Sequence, residues 1–319
     1  MGALIARLRQ LRREVLGLNR RNQEFLLPLN PPRLVALVDH KVHTKEVLVH
    51  HGLPVPDTFG HYVRQRDLPA LARDIQQHGD FVLKPTRGAG GEGVVVIAGR
   101  RHDRLMTPSG KAFRLGDLVA HGADIIAGAF SMSQSRDEAL LEYRLSPDPG
   151  LASYSPGGIA DVRVLVVRGV PLMAMVRLPT RASDGRANLH VGGVGVGIEL
   201  ATGRAVHAIC RDRPVALHPD TQQPLSALRV PLWAAVLNIA ARSYDAIPLG
   251  YFGVDIVVDA QRGPAVLELN ARPGLAIQLA NRRGLRSRLG ALRTRRIEGL
   301  AAADRVALGM EIAAPQASS

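Results

Sequence analysis

Two acidic residues lie inside an apolar β-hairpin near the end of this sequence. The runs "GVDIVVD" and "AVLELN" are joined by "AQRG", and a turn centred on "QR" puts Asp255 directly opposite Glu268. Because side chains alternate along a strand, we expect Glu268 and Asn270 on one face and Leu267 and Leu269 on the other. Two facing like charges destabilise a hairpin, and a buried carboxylate is costly unless it is compensated. The pairing therefore predicts a cation between them, and hence a metal site.

A glycine-rich loop between two strands is a candidate phosphate cradle. In "FVLKPTRGAGGEGVVVI", Gly88, Gly90, Gly91 and Gly93 free the backbone, so that successive N–H groups can converge on an anion. The loop is neither a P-loop nor a dinucleotide fingerprint, since it lacks GxxxxGK[ST] and is followed by a β-branched strand. A tight turn remains the alternative for the loop alone. Lys84, on the strand before it, favours phosphate binding.

Lysine is rare in this basic chain. Of 41 Lys and Arg residues only Lys41, Lys45, Lys84 and Lys111 are lysines. Since arginine supplies charge elsewhere, a retained lysine indicates a place where a compact ammonium group is needed. Lys41 and Lys45 are four residues apart and share a helix face. For Lys45 we expect an ordinary solvated position.

Composition restricts the class of protein. The 319 residues, 46% of them hydrophobic, suffice for one large or two ordinary globular domains. No apolar run approaches the roughly 18 residues that a membrane span needs. A single cysteine, Cys210, excludes an intramolecular disulfide and predicts a cytoplasmic setting. The net charge of +13 is concentrated at both ends, but 4% aromatic residues leave little for base stacking, which disfavours nucleic-acid binding.

Periodicity predicts an α+β protein of two lobes. We expect a basic N-terminal helix or arm over 1–36, a lobe with the glycine loop over 37–145 and a lobe with the acidic hairpin over 146–281. After Asn281 the Arg-, Ala- and Gly-rich sequence predicts a basic, mobile tail over 282–319.

The order of these motifs resembles the ATP-grasp superfamily. Early Lys41, Lys84 before the glycine loop, "LLEYRL", "DVRVLVV" and "GVDIV…LELNARPGL" carry the resemblance over roughly residues 30–285. "GRANLHVGG" and "NARPGL" are most similar to the RimK-related glutamate ligase branch. The resemblance implies an ATP-grasp fold, whose two lobes clamp ATP, with a much reduced pre-ATP-grasp N-terminal region.

The resemblance also implies a role for each candidate residue. Lys41 and Lys84 would contact the ATP phosphates, with Lys84 also near the adenine. The hinge that binds the adenine edge would be Glu142, Tyr143 and Arg144, with Asp148 near the ribose. Two Mg²⁺ ions, or Mn²⁺ in their place, would be held by Asp255, Glu268 and Asn270. Arg163 would face the transferred phosphoryl group, and Arg186, Asn188 and Arg272 would line the acceptor side. For Arg186, simple surface charge is the competing interpretation.

The implied activity is an ATP- and Mg²⁺-dependent carboxylate–amine ligase, which adds a small amino acid such as glutamate to a peptide or protein carboxylate. The alternatives are an ATP-grasp enzyme acting on a sugar or another metabolite, a kinase, or a non-catalytic basic scaffold. Fewer than 41 residues precede the first lysine, so the acceptor site would be completed by the N-terminal arm, a second protomer or another protein. Related D-alanine and glutathione ligases carry an arginine where this chain has Gly253, so Arg163 would take over its role.

Overall fold

The structure is a computed structural model that describes residues 14–87, 90–131 and 135–314. Its strands form sheets of four, seven and three strands, and all strand pairs in them are antiparallel. Helices cover both faces of the seven-stranded sheet and pack on the four-stranded one. The fold is therefore α+β, as the sequence predicts.

The four-stranded sheet forms the lobe that carries the glycine loop. Its strands, in spatial order, are β1 (Thr58–Tyr62), β7 (Ala139–Glu142), β2 (Phe81–Pro85) and β3 (Val95–Ile97). Two amphipathic helices, α5 (Leu68–Gln77) and α6 (Leu115–Ala127), pack on it through Leu71, Ile75, Leu118 and Ile125. A small sheet of β4 (Gly99–Arg101), β5 (Arg104–Met106) and β6 (Ala112–Phe113) adjoins this lobe in sequence. The glycine loop connects β2 to β3.

The seven-stranded sheet carries the acidic hairpin. Its spatial order is β12 (Arg213–Pro214), β11 (Ala205–Cys210), β10 (Val194–Ile198), β9 (Val170–Leu178), β8 (Asp161–Val167), β13 (Tyr251–Asp259) and β14 (Gly263–Asn270). The long apolar runs of β8, β9 and β13 are buried throughout, because both faces of the sheet are covered. The hairpin of β13 and β14 forms one edge of this sheet.

The helices of the chain divide between the two lobes. Before β1 lie α1 (Leu18–Arg21), a π-helical turn (Asn22–Leu26), α2 (Leu27–Leu29), α3 (Pro32–Val38) and α4 (Lys41–His50). The short α7 (Pro149–Ala152) and the long α8 (Trp233–Ala246) come before the hairpin. After it follow α9 (Ala276–Asn281), α10 (Arg286–Arg293) and α11 (Ala302–Ala313). In the described ranges no helix has the length and apolarity that a bilayer span requires.

Two hydrophobic cores lie on opposite faces of the seven-stranded sheet. One face packs Val164 and Phe252 against α8. The other packs Leu165 and Tyr251 against α9, α10 and the N-terminal arm, which we define as residues 14–31. The arm therefore belongs to the core of the second lobe, through residues such as Phe25.

The prediction of a mobile C-terminal tail is wrong for residues 282–314. Leu285, Leu289 and Leu292 are buried in the second core, and α11 packs along β9. Their spacing of four and three residues is that of one helix face, so the apolar stripe was present among the arginines. The final "PQASS", like residues 1–13 of the predicted N-terminal helix, lies outside the described residues. Asp39 and His40 separate α3 from α4.

Candidate active site

One end of the second-core face of the large sheet carries charge instead of apolar side chains. It consists of Asp161 and Arg163 on β8, Arg177 on β9, Asp255 on β13 and Glu268 on β14, a group we call the charged face. The alternation of β8 accounts for this, because Val162 and Val164 enter the first core while Asp161 and Arg163 point to the opposite side.

Asp255 pairs directly with Glu268, as the sequence predicts. The predicted turn centre between Gln261 and Arg262 is wrong, because Asp259 pairs with Gly263 and the turn centres on Gln261. A β-bulge restores the predicted pair: Ile256 pairs with Val266, but Asp255 pairs with Glu268. Leu267 is the extra residue and packs near Val257, two residues along from Asp255. The expectation that Leu267 shares a face with Leu269 is therefore wrong, because alternation fails at a bulge.

Two arginines compensate the charge of Asp255. Arg163 donates from Nε to Oδ1 (2.6 Å) and from Nη2 to Oδ2 (2.5 Å), and Arg177 donates from Nη2 to Oδ2 (2.6 Å). Arg177 also holds both oxygens of Asp161 at 2.6 Å. The facing acids thus have protein cations beside them, which the hairpin argument alone did not include.

The three acids of the charged face differ in the direction in which their pKa is shifted. Burial alone would raise the pKa of Asp255, but Arg163 and Arg177 hold it far below its usual value. Burial raises the pKa of Asp161 to about 6 despite its contact with Arg177. Burial and the negative charge of Asp255 raise the pKa of Glu268. Asp161 and Glu268 are thus the two acids of the charged face whose negative charge is disfavoured on balance.

The residues present fit a hard divalent cation. In the described part of the chain no three His, Cys, Asp or Glu side chains form a metal-holding group. A cation here would rely on the paired Asp255 and Glu268, the amide oxygen of Asn270 and oxygens from a ligand. Mg²⁺ is held in this way, by one or two carboxylates together with substrate phosphates. Asn270 Oδ1 accepts a hydrogen bond from the backbone N–H of Arg272 (2.9 Å), which fixes its orientation.

The turn after Asn270 is held by the N-terminal arm. Asn30 is buried; its Nδ2 donates to the carbonyls of Tyr251 (2.7 Å) and Ala271 (3.1 Å), and its Oδ1 accepts from Tyr251 N–H (2.9 Å). Arg21 Nη1 donates to the carbonyl of Pro273 (2.8 Å). The arm thereby supports the backbone on both sides of Arg272, whose exposed guanidinium contacts Asp39 at 3.2 Å.

Lys84 and Lys45 converge on one buried carboxylate in the first lobe. Lys45 Nζ lies 2.9 Å from Glu142 Oε2, and Lys84 Nζ contacts Glu142 Oε1. We call these three residues the lysine cluster. The expectation of a solvated Lys45 is wrong, because its side chain crosses to β7 and is only 7% exposed. Burial would raise the pKa of Glu142, but the two ammonium groups lower it.

Lys41 lies at the first position of α4, beside the start of the glycine loop. Its Nζ and backbone N–H both donate to the carbonyl of Thr86, at 3.3 and 3.2 Å. Burial lowers its pKa, Glu268 acts in the opposite direction, and Lys84 lowers it further. Lys41 is thus electrostatically coupled to both the acidic hairpin and the lysine cluster.

The glycine loop approaches the loop of residues 181–193. Gly90, Gly91 and Gly93 have φ values of +66°, +82° and +71°, which side-chain-bearing residues rarely adopt. A Cβ on Gly91 would lie 3.0 Å from Arg186 Cδ, and one on Gly90 would lie 3.3 Å from Asn188 Nδ2. Candidate phosphate and acceptor residues are therefore neighbours. Gly88 lies outside the described residues.

Asp137 anchors the beginning of the glycine loop. The buried carboxylate accepts from Thr86 Oγ1 (2.7 Å) and from the backbone N–H of Arg87 (3.1 Å). These hydrogen bonds fix Thr86 and Arg87, the residues from which the glycine loop starts. Sequence reasoning missed this residue, since nothing nearby marked one aspartate as buried.

The predicted hinge has contacts within each lobe and one, between Arg262 and Tyr143, that crosses from one lobe to the other. Tyr143 donates its backbone N–H to Asp57 O (2.9 Å), and the Arg262 guanidinium lies 3.7 Å from its ring. Arg144 pairs with Asp80 at 3.1 Å. Asp148 caps α7 by accepting from Gly150 N–H (2.8 Å). The backbone N–H of Tyr143 is thus engaged within the protein.

Gly253 makes room for Arg163. A Cβ at Gly253 would lie 3.4 Å from Arg163 Nε. The two residues share one face of neighbouring strands, since Arg163 pairs with Asp255, two residues beyond Gly253. This proximity supports the expectation that Arg163 stands in for an arginine at position 253.

Sequence reasoning also missed Asp161 and Arg177. They are cross-strand partners in the β8–β9 hairpin, each a charged residue inside an apolar run. The argument that identified Asp255 and Glu268 could have found them.

The fold and this site have the features of an ATP-dependent clamp: a lysine–glycine cradle on one lobe opposite an acidic hairpin on the other. The sequence profile described as "Sugar-transfer associated ATP-grasp" matches residues 20–294. The chain therefore belongs to the sugar-transfer associated ATP-grasp family. The resemblance to the ATP-grasp superfamily is thereby confirmed.

Curated relatives agree with the glutamate ligase branch. A probable alpha-L-glutamate ligase of Sodalis glossinidius (strain morsitans) is 35% identical over 175 residues, which are 50% of this chain and 48% of that protein. One of Xanthomonas campestris pv. campestris (strain B100) is 32% identical over 116 residues, 36% of this chain and 28% of that protein. The chain thus spans half the length of these relatives or less. Among solved structures, the chain is similar to D-cycloserine synthetase DcsG. The match covers 90% of this chain and 74% of the DcsG chain, with 17% sequence identity and a TM-score of 0.45.

Proposed function

We propose that this protein is an ATP- and Mg²⁺-dependent carboxylate–amine ligase that adds a glutamate-like amino acid to a peptide or protein carboxylate. The observation that carries the proposal is the pairing of Asp255 with Glu268 within the electrostatic reach of Lys41. The names of the partial relatives support the ligase class.

The reaction needs two balanced transfers. A carboxylate oxygen of one substrate attacks the γ-phosphorus of ATP and ADP leaves; the amine of the other then attacks the acyl carbon, phosphate leaves and the amine loses a proton. Asp255, Glu268 and Asn270 would hold Mg²⁺, two ions by the family resemblance, and the metal would supply positive charge that neutralises the phosphates.

Each lobe supplies its own groups to this chemistry. On the first lobe, Lys41, Lys84 and the backbone N–H groups of Gly90 and Gly91 bind phosphate oxygens. On the second lobe, Arg163 keeps Nη1 outside its pair with Asp255 and stabilises charge on the transferred group.

Acceptor binding falls to three residues close to these groups. Arg186 and Asn188 lie against the glycine loop, and Arg272 follows the metal-binding strand. Contact between the two loops keeps water from the reacting groups. The 142–144 hinge and Asp148 bind the adenosine. A second protomer could add further acceptor contacts, and a cytoplasmic setting supplies ATP and Mg²⁺.

The test is ADP release from the purified chain with ATP, Mg²⁺, glutamate and a panel of peptides ending in a carboxylate. A ligase releases ADP only when a carboxylate and an amine are both present, and mass spectrometry detects an amide product. We expect Glu268→Gln to lower the rate about 100-fold, because it removes a ligand of the cation.

Glu298→Gln is the matched control, since Glu298 is exposed and pairs only with the surface residue Arg168 among the described ion pairs. It should keep the wild-type rate. Full turnover by Glu268→Gln, or a phosphorylated product in place of an amide, would contradict the proposal. A scaffold without activity would release no ADP under any condition.

A second candidate takes a sugar or another metabolite as the acceptor. The family description, which names sugar transfer and covers most of the chain, favours it. The same assay distinguishes it when sugar acids and amino sugars are added to the panel, because only the acceptor that is consumed stimulates ADP release.

A further inference from the structure

The lysine cluster carries more positive than negative charge in a buried place. Lys45, Lys84 and Glu142 are 7%, 6% and 2% exposed. One carboxylate neutralises one ammonium group, so one unit of positive charge remains. An uncompensated buried charge is costly, and the surplus therefore favours an anion that enters from outside the cluster.

The two lysines differ in what lies beside them. Lys84 is on β2, two residues before Thr86, where the glycine loop begins and where Lys41 also donates. Lys45 is on α4 and contacts Glu142 Oε2, whereas Lys84 contacts the other carboxylate oxygen, Oε1. An anion cradled by the glycine loop is therefore accessible to Lys84 rather than to Lys45.

Glu142 controls whether Lys84 is available. If Lys84 turned toward a phosphate and Lys45 were absent, Glu142 would be left buried and unpaired. With Lys45 in place the carboxylate keeps a partner, and Lys84 can leave. Burial lowers the pKa of Lys45 while Glu142 acts in the opposite direction, so the pair with Glu142 favours its charged form.

We propose that Lys45 is a positioning residue of the nucleotide site, which holds Glu142 in place when Lys84 exchanges that carboxylate for a nucleotide phosphate. The inference rests on the proposed ATP-dependent function and adds a residue to its nucleotide site.

The first experiment measures the affinity of the chain for a fluorescent N-methylanthraniloyl ATP with Mg²⁺ and no acceptor. Lys45→Met should weaken binding about ten-fold, because Lys84 then remains on Glu142. Lys45→Arg, which keeps the charge, should stay within about three-fold of wild type. Lys111→Met is the matched control: it removes a lysine that lies 4.6 Å from the Phe113 ring, and it should leave the affinity unchanged.

A double-mutant cycle tests whether Lys45 acts through Glu142. In a Glu142→Gln background the carboxylate no longer retains Lys84, so adding Lys45→Met should change affinity less than about two-fold. An unchanged affinity in Lys45→Met alone, or the same ten-fold loss in both backgrounds, overturns the proposal. Circular dichroism confirms folding, and Lys45→Gln replaces Lys45→Met if the latter does not fold.

The readout separates this inference from the ligase proposal. Nucleotide binding is measured without an acceptor, so a missing amide product would contradict the ligase alone. A wild-type chain that binds no nucleotide would overturn both.

Discussion

Arg177 is held between two buried carboxylates, and it is the residue on which the charged face most depends. It contacts Asp161 and Asp255, and its own pKa is raised because both charges outweigh the cost of burial. Among the described ion pairs, Asp161 has no other cationic partner, and Asp255 has only Arg163 in addition. Removing Arg177 therefore leaves the buried Asp161 without its ion-pair partner and Asp255 with Arg163 alone.

We predict that Arg177→Met lowers the free energy of unfolding by about 3–5 kcal/mol, the usual cost of leaving a buried charge without its partner. Urea denaturation measures the change. Arg168→Met, which breaks the exposed pair with Glu298, should cost less than about 1 kcal/mol. Equal effects of the two substitutions would show that the bridge is not a buried network.

His40 gives the stability a pH dependence. Its Nε2 lies 3.3 Å from Glu138 Oε2, which His61 also contacts at 2.5 Å, and its ring stacks on His43. Burial lowers the pKa of His40 although Glu138 raises it, and His43 and Arg87 add to the lowering. His40 therefore binds a proton more readily in the unfolded chain than in the folded one. Its contribution to the free energy of unfolding is complete above pH 6.5 and is lost as pH falls toward the folded pKa.

We predict that the free energy of unfolding falls between pH 7 and pH 5, and that His40→Gln flattens this fall. The slope due to one group cannot exceed about 1.4 kcal/mol per pH unit. Urea unfolding at several pH values measures it, with exposed His50→Gln as the control. A slope that His40→Gln leaves unchanged would assign the dependence to other groups. The pKa of Glu138 is lowered, because His61 and His40 outweigh the effect of burial. Its own contribution to the free energy of unfolding is lost only as pH falls through its folded pKa.

At the scale of elements, the N-terminal arm hydrogen-bonds to the first residue of β13, Tyr251, beyond the point where β13 pairs with β14. Asn30 exchanges two hydrogen bonds with the backbone of Tyr251, and Gly250 N–H donates to Leu29 O (2.9 Å). The same side chain reaches Ala271, directly after the end of β14. An element far away in sequence thus sets the position of the turn that carries Arg272.

We predict that Asn30→Ala lowers the free energy of unfolding by about 2–3 kcal/mol, because three buried backbone groups lose their partner. Hydrogen exchange should be faster at the Tyr251 amide. Asn19→Ala, at an exposed position of α1, should change neither quantity. Unaltered protection at Tyr251 in Asn30→Ala would contradict the role of the arm.

The elements themselves were predictable where periodicity and turn residues agree. The hairpin of β13 and β14 follows from alternation and one turn, but the pairing of Asp255 with Glu268 also needs the bulge, since the register beside the turn would otherwise pair Asp255 with Leu267. The bulge could not be predicted, because its extra residue, Leu267, is apolar like its neighbours and leaves no mark in the pattern. Lys45 was misjudged for a similar reason, since helix spacing does not reveal that a carboxylate lies across the lobe.

At the scale of the whole molecule, the two lobes are joined by polar contacts around the proposed nucleotide site. Val266 N–H donates to Pro54 O (2.8 Å), and Arg262 pairs with Asp57 at 2.5 Å. The lobes also share apolar packing: Leu48 and Leu53, which lie within the first-lobe range 37–145, are buried in the core on one face of the seven-stranded sheet, and a smaller cluster near the hinge centres on Leu145 and Val257. A ligand that contacts both lobes should therefore stabilise the chain as a unit.

We predict that Mg²⁺ with a non-hydrolysable ATP analogue, at 100 times its dissociation constant, stabilises the folded chain by about 2.7 kcal/mol. The melting temperature should rise by about 5 °C. Differential scanning calorimetry measures the shift, with EDTA and the nucleotide alone as the control. If the shift is the same with EDTA, the Asp255 and Glu268 pair does not hold a cation with the nucleotide.

The absence of a side chain at Gly253 has a consequence for how such sites can vary. A Cβ at position 253 would lie 3.1 Å from Pro273 Cβ and 3.4 Å from Arg163 Nε, so an arginine carried there by β13 would extend into the space beside the guanidinium that β8 now contributes. Gly253→Arg combined with Arg163→Gly would move the cation to the adjacent strand without altering the net charge. The location of a functional group along the chain is then exchangeable, while its location in space is conserved.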